Sequence, residues 1–135
     1  MTFPQIFVTR FFQLVTNRQF TESERELQRI KDRMEDTKWN TGYYHALDGM
    51  LLAQRSNSNN STFFTEAVES DKTTLKKQRD EFLKHVQSRF HGDFDRGFFQ
   101  AWCDFTKLLI KTAPEPATNL EEPAQTTIVN YTTQT

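Results

Sequence analysis

Cysteine is nearly absent from this chain: Cys103 stands alone among 135 residues. No internal disulfide can form, and no thiolate zinc framework exists. Gly and Pro number only four each. A sandwich or barrel punctuates its short strands with turn residues far more often, so the composition favours a helical protein over either. No run approaches the roughly 18 apolar residues of a membrane span. The net charge is −1 with 26% charged residues, which removes any global bias towards nucleic acid or acidic membranes. P-loop, G-x-G-x-x-G, G-x-S-x-G and H-E-x-x-H motifs are all missing. No cofactor and no metal site are therefore expected, and the chain reads as a non-enzyme.

What is abundant is phenylalanine, with 13 copies. Trp39 to Ala53, WNTGYYHALDGMLLA, returns 55 positions later as Phe94 to Leu108, FDRGFFQAWCDFTKL. Trp39, Gly42, Tyr43, Tyr44 and Ala46 align with Phe94, Gly97, Phe98, Phe99 and Ala101. In both stretches the apolar residues fall at steps of three and four, the spacing of one helix face. Glycine inside a helix costs about 1 kcal/mol relative to alanine. A glycine one turn in, twice, points to close approach of another helix.

Pro4 suits a first turn and predicts a helix over 4–17. Its residues Phe3, Phe7, Phe11 and Leu14 form one stripe, and Val8, Phe12 and Val15 another. A helix apolar on two sides lies in the core or faces a partner, and we place it between two hairpins. Thr21–Glu24, T-E-S-E, predicts a capping box opening the next helix. Leu27, Ile30 and Met34 form that helix's inner stripe, and Glu26 belongs to its solvated face. Asp36 or Thr37 caps the Trp39 helix. The polar loop Ser56–Ser61 divides the halves, and a short helix follows at 62–69. A helix from Asp71 to about Phe90 turns Leu75, Phe82, Val86 and Phe90 inward; Gly92 ends it and Asp93 caps the next. Short connections force antiparallel hairpins.

From Thr112 the character changes to Pro and Thr with Glu115, Glu121 and Glu122 and no Lys or Arg. Residues 112–135 read as a disordered acidic tail. Removing its three negatives from the net charge of −1 leaves a body of +2. Its Thr127–Thr132 segment, T-I-V-N-Y-T, is strand-prone and suited to docking on a partner.

The expected fold is all-α, with five or six helices in one bundle over residues 1–111. Two pseudo-repeated antiparallel hairpins, about 21–54 and 72–111, compose it. The expected function is a small adaptor or regulatory subunit binding another protein or a second copy of itself, through Phe7, Phe11, Phe12, Ile128, Val129 and Tyr131. No basic leader or membrane segment appears, so a cytoplasmic protein is expected.

Nucleic acid is the alternative partner. Lys72, Lys76, Lys77, Arg79, Lys84 and Arg89 make 72–89 the most basic element, and phosphate binding by Lys and Arg needs no base-specific motif. Within it, Arg79-Asp-Glu-Phe-Leu-Lys-His85 has the spacing R-x5-H. Tyr43-Tyr44-His45-Ala46 precedes it on another helix. These two features are similar to those of HEPN-class helical bundles. The resemblance covers only those residues, and the internal repeat has no counterpart in it. It implies metal-independent RNA cleavage, with Arg79 and His85 at a dimer interface. A tetratricopeptide array, with its period of about 34 residues, does not fit.

Overall fold

The computed structural model describes residues 5–56 and 63–116. They form six helices: α1 Gln5–Thr16, α2 Phe20–Arg33, α3 Lys38–Ser56, α4 Phe63–Val68, α5 Lys72–Gln87 and α6 Asp93–Thr112. Among the described residues there is no strand. The protein is an all-α bundle.

Local chemistry fixes several helix ends. Thr37 Oγ1 accepts from the Asn40 backbone N–H at 3.1 Å and opens α3. Asp71 accepts from the Thr74 N–H at 2.9 Å and opens α5. The box expected at Thr21–Glu24 is not used. Instead α2 begins at Phe20, and Ser23 Oγ, one turn in, donates back to the Gln19 carbonyl at 2.7 Å. Glu24 pairs with Arg55 across the hairpin. Asp93 is the first residue of α6 rather than its cap, a position occupied by Gly92.

Helix α5 stops at Gln87, short of the expected Phe90. Arg96 donates to the Ser88 carbonyl through Nε at 3.1 Å and Nη2 at 3.0 Å, and the chain turns there. Phe90 is thereby carried out of the helix to 92% exposure, the reverse of the inward position expected.

The last turn of α1 is closed from two sides. Gln19 N–H reaches back to the Leu14 carbonyl at 2.9 Å, with Arg18 in the left-handed region at φ 60°. The buried Gln54 amide donates to the Val15 and Thr16 carbonyls at 3.3 and 3.4 Å. These are carbonyls a helix C-terminus leaves without internal partners.

Pairwise contacts give the directions. α1 runs against α2, with Arg10 on Glu26 and Arg33 over the Phe7 ring. α2 runs against α3, with Glu24 on Arg55 and Lys31 over Tyr44. α5 runs against α6, with Phe82 on Phe99 and Trp102 and the Lys72 N–H on the Pro114 carbonyl. Helix α1 does not take the expected place between the hairpins. It packs chiefly on α2 and reaches α3 and α6 more lightly.

The centre of the bundle is the α3–α6 crossing. Gly42 sits on the Phe94 carbonyl and Gly97 on the Trp39 carbonyl. Neither glycine has room for a side chain, so the two backbones meet directly. Around the crossing, Tyr43, Leu47, Met50, Phe105, Phe11 and Ile30 are fully buried. Phe105 is the hub of the rings. It stacks on Phe64 of α4 at 4.9 Å, meets Phe12 of α1 at 5.1 Å and Trp102 at 6.0 Å.

Glu26 is not on the solvated face. It is 4% exposed, held by Arg10 at 3.0 Å and Arg29 at 3.4 Å on one oxygen. Those two guanidiniums supply the charge that burying a carboxylate requires.

Candidate functional site

Helices α1 and α6 run side by side in the same direction but touch sparingly, and the space between them is an open groove of about 440 Å3. Residues at helical steps line it: Thr9, Phe12, Gln13 and Thr16 on α1, and Leu108, Leu109, Lys111 and Thr112 on α6. The groove continues towards the α1 N-terminus into a second hollow of about 180 Å3, which adds Gln5, Asp104 and Lys107. Its floor is apolar. Phe12 lies beneath it, buried with its ring packed on Phe105, and Leu108 and Leu109 are half-buried. Lys107 and Lys111 stand exposed on the rim, and neither makes an ion pair among the described residues.

A hydrogen-bonded network closes the N-terminal end. The Tyr43 hydroxyl donates to Asp104 Oδ2 at 2.7 Å, and Gln100 Nε2 donates to Oδ1 at 2.8 Å. Burial, then the neighbouring Asp104 charge, hold the Tyr43 phenol well above its ordinary value, while a hydrogen bond from the Gln5 side chain works the other way. The phenol is therefore a permanent donor at neutral pH and has no acid–base role there.

A pH dependence follows. The folded state holds this proton more tightly than the unfolded chain, whose phenol ionises near pH 10. The contribution of this group to stability is intact below about pH 10 and falls as the pH rises above it. Tyr43→Phe is expected to lose about 1–2 kcal/mol at pH 7, the usual range for a buried hydrogen bond. Urea melts from about pH 9 to 11.5, a window bracketing the free phenol, should show a flatter decline in the variant. Parallel declines would exclude Tyr43 as the source.

The other residues singled out in the sequence are scattered. Phe11 and Phe12 are buried core residues, and Phe7 is half-buried beneath Arg33, so the exposed apolar residue on α1 is Ile6. Ile128, Val129 and Tyr131 lie outside the described residues. Arg79 and His85 do not share a hydrogen bond. Arg79 pairs with Asp80 at 3.2 Å, and His85 Nδ1 lies 3.0 Å from His91 Nε2 with its ring stacked on Phe99. Lys72 is paired with Glu115 and Lys84 with Glu81, which leaves Lys76, Lys77 and Arg89 as exposed cations without an ion pair among the described residues.

Cys103 is buried against the Arg79 carbonyl, and burial pushes its thiol up, away from the thiolate a nucleophile needs. Among the described residues no group of three or more His, Cys, Asp and Glu is placed to hold a metal ion. None of their helices is long and apolar enough to cross a membrane.

The Tyr43–Asp104 bond is not legible in the sequence, because 61 positions separate the partners. One signal exists. Tyr43 carries a hydroxyl on the apolar face of its helix, and a buried tyrosine hydroxyl calls for a hydrogen-bond partner. The groove itself leaves no trace in periodicity, since its lining residues continue the same helix faces that build the core. Comparison with protein-family models, curated proteins and solved structures gave no significant match for this chain.

Proposed function

We propose that the protein is a small non-enzymatic adaptor or regulatory subunit that binds a protein segment in the α1–α6 groove. The observation that carries this reading is the groove's composition: an apolar floor of Phe12, Leu108 and Leu109 beneath a rim with two lysines unpaired among the described residues. Such a cleft between helices suits an apolar stretch flanked by acidic residues, with burial giving affinity and the rim fixing orientation. Of the partner contacts expected at Phe7, Phe11 and Phe12, only Phe12 lines the groove. We also read the bundle as two copies of one hairpin unit. The reciprocal seating of Gly42 and Gly97, each on the other copy's aligned aromatic carbonyl, supports that reading.

The experiment is affinity capture with the full chain, in nuclease-treated host extract, against two variants. Leu108→Glu places a charge on the groove floor. Leu52→Glu does so at a residue 53% exposed elsewhere and serves as the control. A protein captured by the wild type and by Leu52→Glu, and reduced at least tenfold by Leu108→Glu with the helical circular dichroism unchanged, supports the reading. Equal capture by all three chains overturns it. Recovery of only nuclease-sensitive material, lost in Lys76→Ala/Lys77→Ala, would instead support nucleic acid on α5.

A further inference from the structure

We infer that the chain's own C-terminal segment, Leu120 to Tyr131, occupies the α1–α6 groove and is displaced when a partner binds, an inference resting on the groove as the docking site. Three observations bear on it.

The first is where the described chain ends. Thr112 forms part of the groove wall, and the described residues end four positions later at Pro116. The Lys72 N–H on the Pro114 carbonyl, and Lys72 Nζ on Glu115, anchor that departure point beside the end of α6. The segment therefore starts next to its site.

Length is the second. Ile128 lies twelve positions beyond Pro116. Twelve extended residues span up to about 40 Å, while the α1 wall, twelve residues of helix, is about 18 Å long. Reach is ample, with enough slack for a bend at Pro123. Tethering at this length also supplies an effective concentration of roughly millimolar, so even a weakly matched segment would fill the groove.

The third is complementarity. Residues 117–135 carry only two charged side chains, Glu121 and Glu122, both negative. The groove rim carries Lys107 and Lys111 without ion pairs among the described residues. The apolar residues of the segment, Leu120 on one side of the acidic pair and Ile128, Val129 and Tyr131 on the other, match a floor of Phe12, Leu108 and Leu109. A partner of the same pattern would compete with the segment.

The test uses the full chain with Thr133→Cys carrying a nitroxide. Cys103 is fully buried and stays unlabelled under native conditions. Backbone amides of Thr9, Gln13, Leu108 and Leu109 are expected to broaden in dilute solution. The broadening should be strongest along the groove, vanish in Ile128→Asp/Val129→Asp, and weaken in high salt. The same tail substitutions should raise partner capture about tenfold, because the tethered competitor is lost.

Unbroadened groove amides overturn the inference. So does broadening that appears only when labelled chains are mixed with separate isotope-enriched chains, because the tail would then bind a second copy. The two readings fail separately. Groove amides without broadening, together with capture that Leu108→Glu still abolishes, remove the tail and keep the docking site. Broadening together with capture indifferent to Leu108→Glu does the opposite.

Discussion

Gly42→Ala and Gly97→Ala are each expected to destabilise the protein by about 3 kcal/mol or more, at the upper end of what overpacking does. A Cβ on Gly42 would lie 2.7 Å from the Phe94 carbonyl carbon and closer still to its oxygen; a Cβ on Gly97 would lie 2.8 Å from the Trp39 carbonyl carbon. In both cases the obstacle is backbone of the opposing helix, which cannot rotate aside as a side chain can. Helices α3 and α6 would have to separate, and every ring seated around their crossing would move with them. The better helix propensity of alanine returns only about 1 kcal/mol.

Gly49 supplies the internal control. It lies in the middle of the same α3, exposed, and a methyl group added there would meet nothing within 4 Å. Gly49→Ala should therefore stabilise by about 0.5–1 kcal/mol, from propensity and reduced freedom of the unfolded chain. Urea denaturation of the three variants settles the matter. Equal small effects at all three positions would show that the crossing is not a close backbone contact. The double variant Gly42→Ala/Gly97→Ala should cost less than the sum of the singles, because one substitution already parts the helices.

Phe105→Ala is expected to be as damaging, at about 3–5 kcal/mol. Its ring is fully buried and touches rings from α1, α4 and its own helix. The loss combines transfer of a large apolar group, an unfilled cavity and up to about 1 kcal/mol for each ring pair. Helix α4 has only six residues, too few to persist alone in water, and its Phe64 rests on Phe105. Hydrogen exchange should accordingly speed up in α4 before it does in α2. Phe90→Ala, at a ring 92% exposed, should change stability by under about 0.5 kcal/mol. A loss at Phe90 comparable to that at Phe105 would mean that the α5–α6 turn folds inward.

Much of the core is readable in the sequence because helical periodicity and burial are the same fact seen twice. Leu27 and Ile30, Tyr43, Ala46, Leu47 and Met50, and Ala101, Trp102 and Phe105 sit inside as their spacing dictates. The paired glycines are readable for a different reason: a residue that weakens a helix, present at matching positions, has to be offset by packing. Helix ends are less legible. Thr21 to Glu24 has the letters of a capping box, yet Glu24 finds Arg55 across the hairpin and Ser23 turns back to Gln19. Phe90 matches the inward stripe of α5, but Arg96, six positions later, takes the Ser88 carbonyl and the chain turns before reaching it.

By itself, then, the amino-acid order determined what depends on neighbours within a few turns: that the chain is helical, where most helices lie, which faces are apolar, and where two backbones must meet. Tertiary structure alone decided which distant groups meet. Tyr43 found Asp104, Gln54 found the last carbonyls of α1, and Glu26 was drawn inside by Arg10. It also decided that α1 leans on α2 and leaves a gap along α6, the groove on which the functional reading rests. Periodicity shows that a face is apolar but not which helix covers it, because burial is non-directional and several packings satisfy the same stripe. Directional hydrogen bonds and the contact at Gly42 and Gly97 select among those packings.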